Sequence, residues 1–399
     1  MNSNTPYWIW LQSALGAGAR IKEITEYFGG AKELYDAGET EWKMSPVLVP
    51  RQVEHLKNCS LSQAKDVITV CRLNSWQIIT PDDDNYPRRL YEIDNPPAVL
   101  YVAGNLPDID NSVAIGIVGT RKASDYAVKA ADVMSRGIAK LGAVVVSGGA
   151  LGVDTAAHNA AVLSGGKTVA VLGCGLGTNY LMENKPLRDA IAANGALITE
   201  FQPFTKASRY TFPVRNRIIS GLSLGVLVVE AGVKSGSLIT AGYAADQGRD
   251  VYAVPCSILE PEYAGTNKLI DQGAVVVTKP LDLVYPYAER FGLDVSAAKS
   301  VDTIMKETSH KAVNAKETSG ISFENLNASR AKRAERQKAA AQLSGNTLKV
   351  YRALSEDYMH VDEIAAKTSL GTGAVLTALT ALEIADLVQS AGGKRYKLS

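Results

Sequence analysis

The sequence has few of the residues that build metal centres and disulfide frameworks. Its 399 residues include four cysteines and four histidines, which are scattered along the chain without C-x-x-C spacing. A zinc site or a disulfide framework needs such side chains at regular, close spacing. We therefore expect no metal ion, and we expect these residues to serve in packing.

Long apolar runs are also absent, and the net charge is close to zero. No apolar stretch reaches the length of a membrane span, and the N-terminus has no basic region followed by an apolar core. This pattern predicts a cytoplasmic protein with no membrane partner. The 42 basic and 41 acidic side chains leave a formal net charge of +1. Any nucleic-acid site must therefore be a local basic patch.

What the chain does have is length enough for two or three domains. Residues 1–75 are predicted to form a small helical domain, in which Gly16-Ala17-Gly18 separates two helices as in a SAM-like or helix-hairpin-helix module. The amides of such a turn can bind a DNA phosphate. The two basic residues nearby, Arg20 and Lys22, are offset by two acidic ones, Glu23 and Glu26. This balance favours a docking or structural module over a DNA-binding one.

Residues 76–287 alternate short β-branched runs with helical patterns. Three of these runs end in glycine-containing turns, and they are predicted strands at Val113–Val118, Ala143–Ser147 and Thr168–Leu172. This alternation predicts an α/β domain with an extended Rossmann-like, doubly wound, mostly parallel sheet. The segment that begins at Trp76 is expected to add to the edge of that sheet.

The glycine turns after these strands should gather at one edge of the sheet. Their backbone amides suit phosphate oxygens, and Arg121 in the first turn adds a guanidinium fork. The alternative is that the glycines only permit tight turns. Gly165 to Thr168 imitates the end of a P-loop, but residue 161 is alanine, and the G-x-G-x-x-G spacing fails as well. The sequence therefore assigns no cofactor, neither NAD nor ATP.

A second basic stretch surrounds the predicted helix start at Phe212-Pro213. Three arginines lie within nine residues, with no acid among them: Arg209, Arg215 and Arg217. The helix dipole opposes cations at a helix N-terminus, so this pattern favours a bound anion. The alternative is a solvated basic turn that pairs with Glu200 or Glu230.

The C-terminal part contains a flexible basic linker, residues 288–344, and a winged-helix domain, residues 345–399. Five basic residues lie between Arg330 and Lys338 of the linker. The third helix of the winged domain, predicted over Thr372–Leu387, has no Lys or Arg. This domain is therefore expected to bind protein, or DNA only weakly through wing residues Lys394, Arg395 and Lys397.

Six motifs together give the chain a specific resemblance. They are Gly119-Thr-Arg121, Ser147-Gly-Gly149 with Gly152-x-Asp154, Phe212-Pro-x-Arg-Asn-Arg-Ile218, Val229-Glu-Ala231, Ser235-Gly-Ser-Leu-Ile-Thr-Ala241 and Gly248-Arg-x-Val-x-Ala-Val-Pro255. In this order and spacing they resemble the bacterial DNA processing protein A (DprA/Smf) family. The resemblance implies a homodimer that binds and protects single-stranded DNA without sequence preference and helps load RecA recombinase in natural transformation.

By position, the resemblance marks candidate DNA-binding residues in four stretches: Gly119, Thr120 and Arg121; Ser147, Gly148 and Gly149; Lys185; and Phe212, Arg215, Asn216 and Arg217. Arg121 and Arg217 are expected at solvent-facing loop ends. Two alternatives remain. One is a nucleotide-processing enzyme of the phosphoribohydrolase type, although the segment from Glu230 to Ser237 has no glutamate after it where that family's motif places one. The other is a scaffold without ligand. The DprA/Smf interpretation predicts no catalytic residue.

Overall fold

The computed structural model describes residues 2–295, 343–354, 358–385, 387–391 and 393–398. The chain divides into two units, residues 1–321 and 322–399. Most of the predicted basic linker, including Arg330 to Lys338, lies outside the described residues. No helix of the described part is long and apolar enough to cross a membrane.

Residues 2–75 form five helices: α1 (Thr5–Leu15), α2 (Ile21–Phe28), α3 (Ala31–Met44), α4 (Pro50–Asn58) and α5 (Leu61–Leu73). The sequence from Val53 to Leu73 predicts continuous helix, but the structure has two helices there, because Cys59 and Ser60 adopt extended backbone between them. Trp8 and Trp10 of α1 are buried. The apolar face of α1 is therefore the centre on which the other helices of this part pack.

The next segment contributes a nine-stranded sheet: β1 (Gln77–Ile79), β2 (Leu100–Gly104), β3 (Ala114–Val118), β4 (Val144–Ser147), β5 (Thr168–Val171), β6 (Ala196–Thr199), β7 (Gly225–Val228), β8 (Asp250–Ala253) and β9 (Val275–Val276). Their order is β1-β2-β6-β5-β4-β3-β7-β8-β9. In this spatial order, all neighbouring strands from β6 through β3 to β9 are parallel. Strand β2 pairs antiparallel with both β1 and β6. This confirms the predicted α/β fold and the edge addition.

Helices cover both faces of the sheet: α6 (Arg88–Tyr91), α7 (Asp125–Lys140), α8 (Val153–Leu163), α9 (Lys185–Asn194), α10 (Thr211–Leu222), α11 (Gly236–Asp246), α12 (Ala264–Asp271) and α13 (Leu281–Ala288). Side chains of α7, α8 and α13 pack into one core, and those of α10 and α11 into the other. The strand order reverses at β3, which pairs with β4 on one side and β7 on the other. Crevices at such a switch point are where doubly wound sheets bind ligands.

The second unit has three helices and a three-stranded antiparallel sheet among its described residues: α14 (Gly345–Ala353), α15 (Val361–Thr368), α16 (Thr372–Ile384), β10 (Met359–His360), β11 (Val388–Ala391) and β12 (Arg395–Leu398). This is the predicted winged-helix order. The third helix ends three residues before the predicted Leu387, which instead packs in the core of the unit. Gly392, part of the predicted wing turn, lies outside the described residues.

Candidate nucleic-acid interface

A cleft of about 550 Å³ opens at the switch point, between the loop after β3 and the N-terminal ends of α10 and α11. We call it the switch-point cleft. It is lined among others by Arg121, Asp154, Arg209, Phe212, Arg215 and Ser235. The two separate basic stretches of the sequence therefore meet in one place, because parallel strands bring their carboxyl ends to the same edge of the sheet.

Arg121 and Arg209 present exposed guanidinium groups at this cleft. The Arg121 guanidinium lies 4.4 Å from the ring centroid of Phe212. Arg209 lies 4.9 Å from the ring centroid of Tyr210 and donates a hydrogen bond to its hydroxyl. Stacking on aromatic rings orders these cations and leaves the other N–H groups of each guanidinium available to an anion.

Arg215 is buried, with only 4% of its surface exposed. Its Nη1 donates to the carbonyls of Gly148 and Val171, and its Nε donates to Asn216 Oδ1 at 3.0 Å. Its Nη2 has no hydrogen-bond partner among the described residues, and the side chain lines the cleft. Burial lowers the pKa of this guanidinium, and the nearby Asp154 carboxylate acts in the opposite direction. The floor of the cleft therefore holds a cation with a free donor group.

Asn216 connects two elements of the cleft. Its Oδ1 accepts from Arg215, and its Nδ2 donates to the Gly236 carbonyl of α11 at 3.3 Å. In this position Asn216 fixes the Arg215 side chain relative to α11.

The expected solvent-facing position of Arg217 is wrong. Its side chain is 4% exposed and forms a two-pronged ion pair with Glu200, with both Nη–Oε distances at 2.8 Å. Its Nε donates to the Asn95 carbonyl at 2.9 Å. Arg217 lies on the opposite side of α10 from the cleft because it follows Arg215 by two residues, about half a helical turn. Arg217 therefore pairs with Glu200, as the alternative interpretation of this basic stretch expected, but the ion pair is buried and not solvated.

The glycine turns use much of their backbone hydrogen bonding internally. The Thr120 amide beside Gly119 donates to the Glu230 carbonyl at 2.9 Å, and the Ala150 amide after Gly149 donates to Asp154 at 3.3 Å. In the third turn, the amides of Gly175 and Gly177 donate to the carbonyls of Thr205 and Pro203. These amides are not free to bind phosphate, so the cleft depends mainly on its side chains.

Ser147 and Gly148 are buried, and the Ser147 hydroxyl donates to the Ile117 carbonyl at 2.6 Å. A Cβ on Gly148 would lie 2.6 Å from the Arg215 guanidinium. Gly149, at φ +66°, needs the left-handed backbone that glycine permits. The Ser147 to Gly149 turn therefore shapes the floor of the cleft beneath Arg215 and offers little contact of its own.

Lys185 is exposed at the start of α9 and forms an ion pair of 2.7 Å with Asp189. It does not line the switch-point cleft. A strand that contacts both Lys185 and Arg121 must therefore extend beyond the cleft.

Several residues of this surface were missed by sequence reasoning. Tyr210 and Phe204 are 69% and 63% exposed in the segment before α10. Ser235 caps α11 by accepting from the Ser237 amide. The signal for Ser235 was available, because the Ser235-Gly-Ser237 turn follows a strand adjacent to β3. For Phe204 and Tyr210, nothing in the pattern separates exposed from buried aromatic residues.

The Gly16 to Gly18 turn is docked on the sheet domain. The Gly18 amide donates to Glu200 Oε1 at 2.9 Å, and a Cβ on Gly18 would meet Val214 at 2.9 Å. Gln12 of α1 accepts a hydrogen bond from Tyr101 and donates to the Glu200 carbonyl. This turn amide is therefore occupied by protein, which agrees with a docking module.

Comparison with known proteins settles the family. The family model of DNA recombination-mediator protein A matches residues 77–288, and that of the DprA winged helix domain matches residues 334–394. The chain belongs to the DNA recombination-mediator protein A family.

Relatives of this family are similar over large parts of the chain. Protein Smf of Synechocystis sp. is 32% identical over 99% of this chain and 99% of its own length. DNA processing protein DprA of Streptococcus pneumoniae is 43% identical over 51% of this chain and 71% of its own. The X-ray structure of DprA from Streptococcus pneumoniae, at 34% identity, superposes with a TM-score of 0.61 over 70% of this chain and 97% of that chain. The family fold therefore extends beyond the sheet.

Proposed function

We propose that the switch-point cleft binds single-stranded DNA without sequence preference. The observation that carries this proposal is the convergence of two exposed arginines, Arg121 and Arg209, with the free Nη2 of Arg215 in one open cleft. Guanidinium groups bind phosphate oxygens through paired, charge-assisted hydrogen bonds. Contacts to phosphates carry no sequence information directly, so recognition through these arginines is directed at the backbone.

Aromatic side chains beside the cleft favour a single strand over a duplex or a free nucleotide. Phe212 lines the cleft, and the segment that leads into α10 carries three further exposed side chains, Phe204, Lys206 and Tyr210. Bases of a single strand are free to stack on such rings, and this stacking tolerates any sequence. An alternation of cations and rings along a surface favours a polymer, because each nucleotide adds a contact.

Anisotropy measurements with labelled oligonucleotides test this proposal. Affinity should rise with strand length, be equal for mixed sequences, exceed that for a duplex, and fall as salt increases with a slope of about −0.7 per phosphate contact. Tight, salt-insensitive binding of a single nucleotide would contradict the proposal.

We also propose that the cleft has no catalytic role. The carboxylate in the cleft, Asp154, is 7% exposed and accepts from the Ala150 amide. Burial raises the pKa of this carboxyl, against the effect of Arg215. Incubation with nucleoside monophosphates, followed by chromatography of the bases, tests this point. Release of free base at a rate that falls in Asp154→Asn would support the phosphoribohydrolase alternative instead.

We further propose a homodimer that pairs through the β9 edge of the sheet. Val275 and Val276 of β9 are 52% and 44% exposed, and Tyr285 on the following helix is 67% exposed. Such an apolar edge strand is suited to pairing with another chain. Light scattering of Val275→Lys should show a monomer. Val49→Lys changes a valine that is 57% exposed in the N-terminal helical part, and it should leave the dimer intact.

The remaining proposal concerns the partner that receives the strand. We propose that the protein helps load RecA recombinase on strands that enter during natural transformation, as the resemblance implies and as the recombination-mediator description of the family supports. The test is whether the protein accelerates RecA filament assembly on single strands coated with single-strand binding protein. Acceleration lost in Arg121→Ala would connect loading to the cleft, and absence of acceleration would contradict the proposal.

A further inference from the structure

Glu230 occupies the N-terminus of α7, on the other side of the β3 loop from the switch-point cleft. It follows β7 and is 1% exposed. Its Oε2 accepts from the backbone amide of Ser124 at 3.3 Å and from the Ser124 hydroxyl. That hydroxyl in turn caps α7 by accepting from the Ala127 amide at 3.1 Å. A buried carboxylate from a distant part of the chain is therefore bound at the positive end of this helix.

This helix end is the position at which a doubly wound sheet ordinarily binds phosphate. α7 follows the central strand β3, whose neighbours β4 and β7 define the switch point. The helix after such a strand directs its free amides and its dipole at an anion. In this protein the side chain of Glu230 lies at this helix end and accepts hydrogen bonds from Ser124, the N-cap residue of α7. The Thr120 amide in the preceding loop donates to the Glu230 backbone carbonyl. That amide is therefore also unavailable to a phosphate.

Space for a ligand is present beside this helix end. A cavity of about 680 Å³ is lined among others by Lys122, Ser124, Tyr126, Glu230 and Tyr263. Glu230 Oε1 has no hydrogen-bond partner among the described residues. The cavity has one cation in its lining, Lys122, and two further carboxylates, Glu260 and Glu262. At the helix end itself, the Glu230 carboxylate lies where a phosphate would bind.

We propose that Glu230 is an internal anion that closes the α7 N-terminus to phosphate groups and so excludes mononucleotides and pyrophosphate from the crevice beside it. A phosphate entering this crevice meets a negative charge that already holds the Ser124 donors. Phosphates are thereby confined to the Arg121 side of the β3 loop. This inference rests on the geometry of α7 and does not depend on strand binding in the switch-point cleft.

The competing explanation is that Glu230 only caps the helix. The two explanations differ in what its removal creates. Loss of a helix cap lowers the melting temperature and creates no binding site for an added anion. An internal anion that is lost exposes an empty phosphate position, and the protein gains affinity for an added anion.

Binding of inorganic pyrophosphate to the full chain, measured by calorimetry, tests the proposal. Glu230→Gln keeps the size of the side chain and removes its charge, and Glu230→Ala also removes the oxygen atoms. Both should bind pyrophosphate at least tenfold more tightly than the wild type. Glu262→Gln is the matched control, because Glu262 lines the same cavity without contacting Ser124. It should leave pyrophosphate affinity unchanged.

A double variant locates the gained site. In Glu230→Gln combined with Arg121→Ala, the gain should persist, because the new position lies at α7 rather than in the switch-point cleft. Three results would overturn the proposal: no gain in folded Glu230→Gln, an equal gain in Glu262→Gln, or loss of the gain when Arg121 is removed. Strand binding by the wild type is measured separately, so its failure leaves this test intact.

Discussion

The arginines around α10 differ in what surrounds their guanidinium groups. Arg121 is exposed beside an aromatic ring, whereas Arg217 is enclosed with Glu200. Arg121→Ala should weaken strand binding by about 1–3 kcal/mol, the range of one charge-assisted contact, with an unchanged melting temperature. Anisotropy and thermal unfolding measure the two effects. Arg20→Ala removes an exposed arginine outside the cleft and should change neither.

Arg217→Ala should have the opposite profile. Its loss leaves the Glu200 carboxylate buried without its partner cation, which costs about 3–5 kcal/mol of folding stability. Urea unfolding measures this loss. An Arg217→Ala protein with native stability and weakened strand binding would instead show that Arg217 contacts the strand.

His158 gives a second prediction at this scale, for pH. The ring is fully buried, with Nδ1 2.8 Å from Thr168 Oγ1, and Nε2 has no hydrogen-bond partner among the described residues. Burial, assisted by the charge of Arg215, lowers the pKa of His158 to about 3. In the unfolded chain a histidine takes up its proton near pH 6.5. Folding stability should therefore fall as the pH drops from 6.5 toward 3, by about 1.4 kcal/mol per pH unit.

His158→Gln removes this titration. Urea unfolding of the two proteins between pH 7 and pH 5 should show a shallower decline for the variant. Parallel declines would show that the buried imidazole takes up a proton without unfolding.

The burial of these residues could not be deduced from their neighbours in sequence. The stretch around Arg215 and Arg217 predicted two arginines in the first turns of a helix, and α10 has them there, because a helix start is a local property of the sequence. Which of the two arginines is enclosed depends on Glu200 and Asn95, and those contacts are set by strand order and by the docking of the N-terminal helices.

At the scale of elements, the turn between α1 and α2 serves as the contact between the helical module and α10. Gly16 and Gly18 both have positive φ, +82° and +78°, but only a Cβ on Gly18 would meet Val214. Gly16, at φ +82° and ψ 169°, lies in a backbone region that is essentially restricted to glycine, so Gly16→Ala should cost about 1–3 kcal/mol of stability from strain alone. Gly18→Ala should cost more, because it also displaces the module from α10.

Thermal unfolding of the two variants isolates the docking contribution as their difference. Limited proteolysis should cut Gly18→Ala before Gly16→Ala within residues 2–75. Equal stability and equal cleavage would contradict a docked turn.

Elements were more predictable than sites. The buried strands β3, β4 and β5 are short β-branched runs, each followed within two residues by a glycine, and this local pattern predicts them. The glycine turns were correctly placed, but their amides were expected to face a ligand. The structure directs several of them at protein acceptors, because a packed turn must satisfy its own backbone groups.

At the scale of the whole molecule, every residue of the switch-point cleft lies within the first unit. A chain truncated after Gly292 should therefore fold and keep most of its affinity for a single strand. A modest loss at low salt is expected, because the five basic residues between Arg330 and Lys338 add nonspecific attraction. Comparison of both proteins at two salt concentrations measures this. Complete loss of binding at both, with the fragment still folded, would place the strand on the C-terminal part.

The two ends of the nine-stranded sheet have unequal consequences for assembly. At one end, the short β1 is packed against the helix that precedes it, and its two isoleucines are buried. At the other end, within residues 2–295, β9 exposes its valines. If the proposed homodimer pairs through β9, a twofold axis uses the same edge on both chains. Pairing through that edge would then end at two chains and would not extend into a fibre.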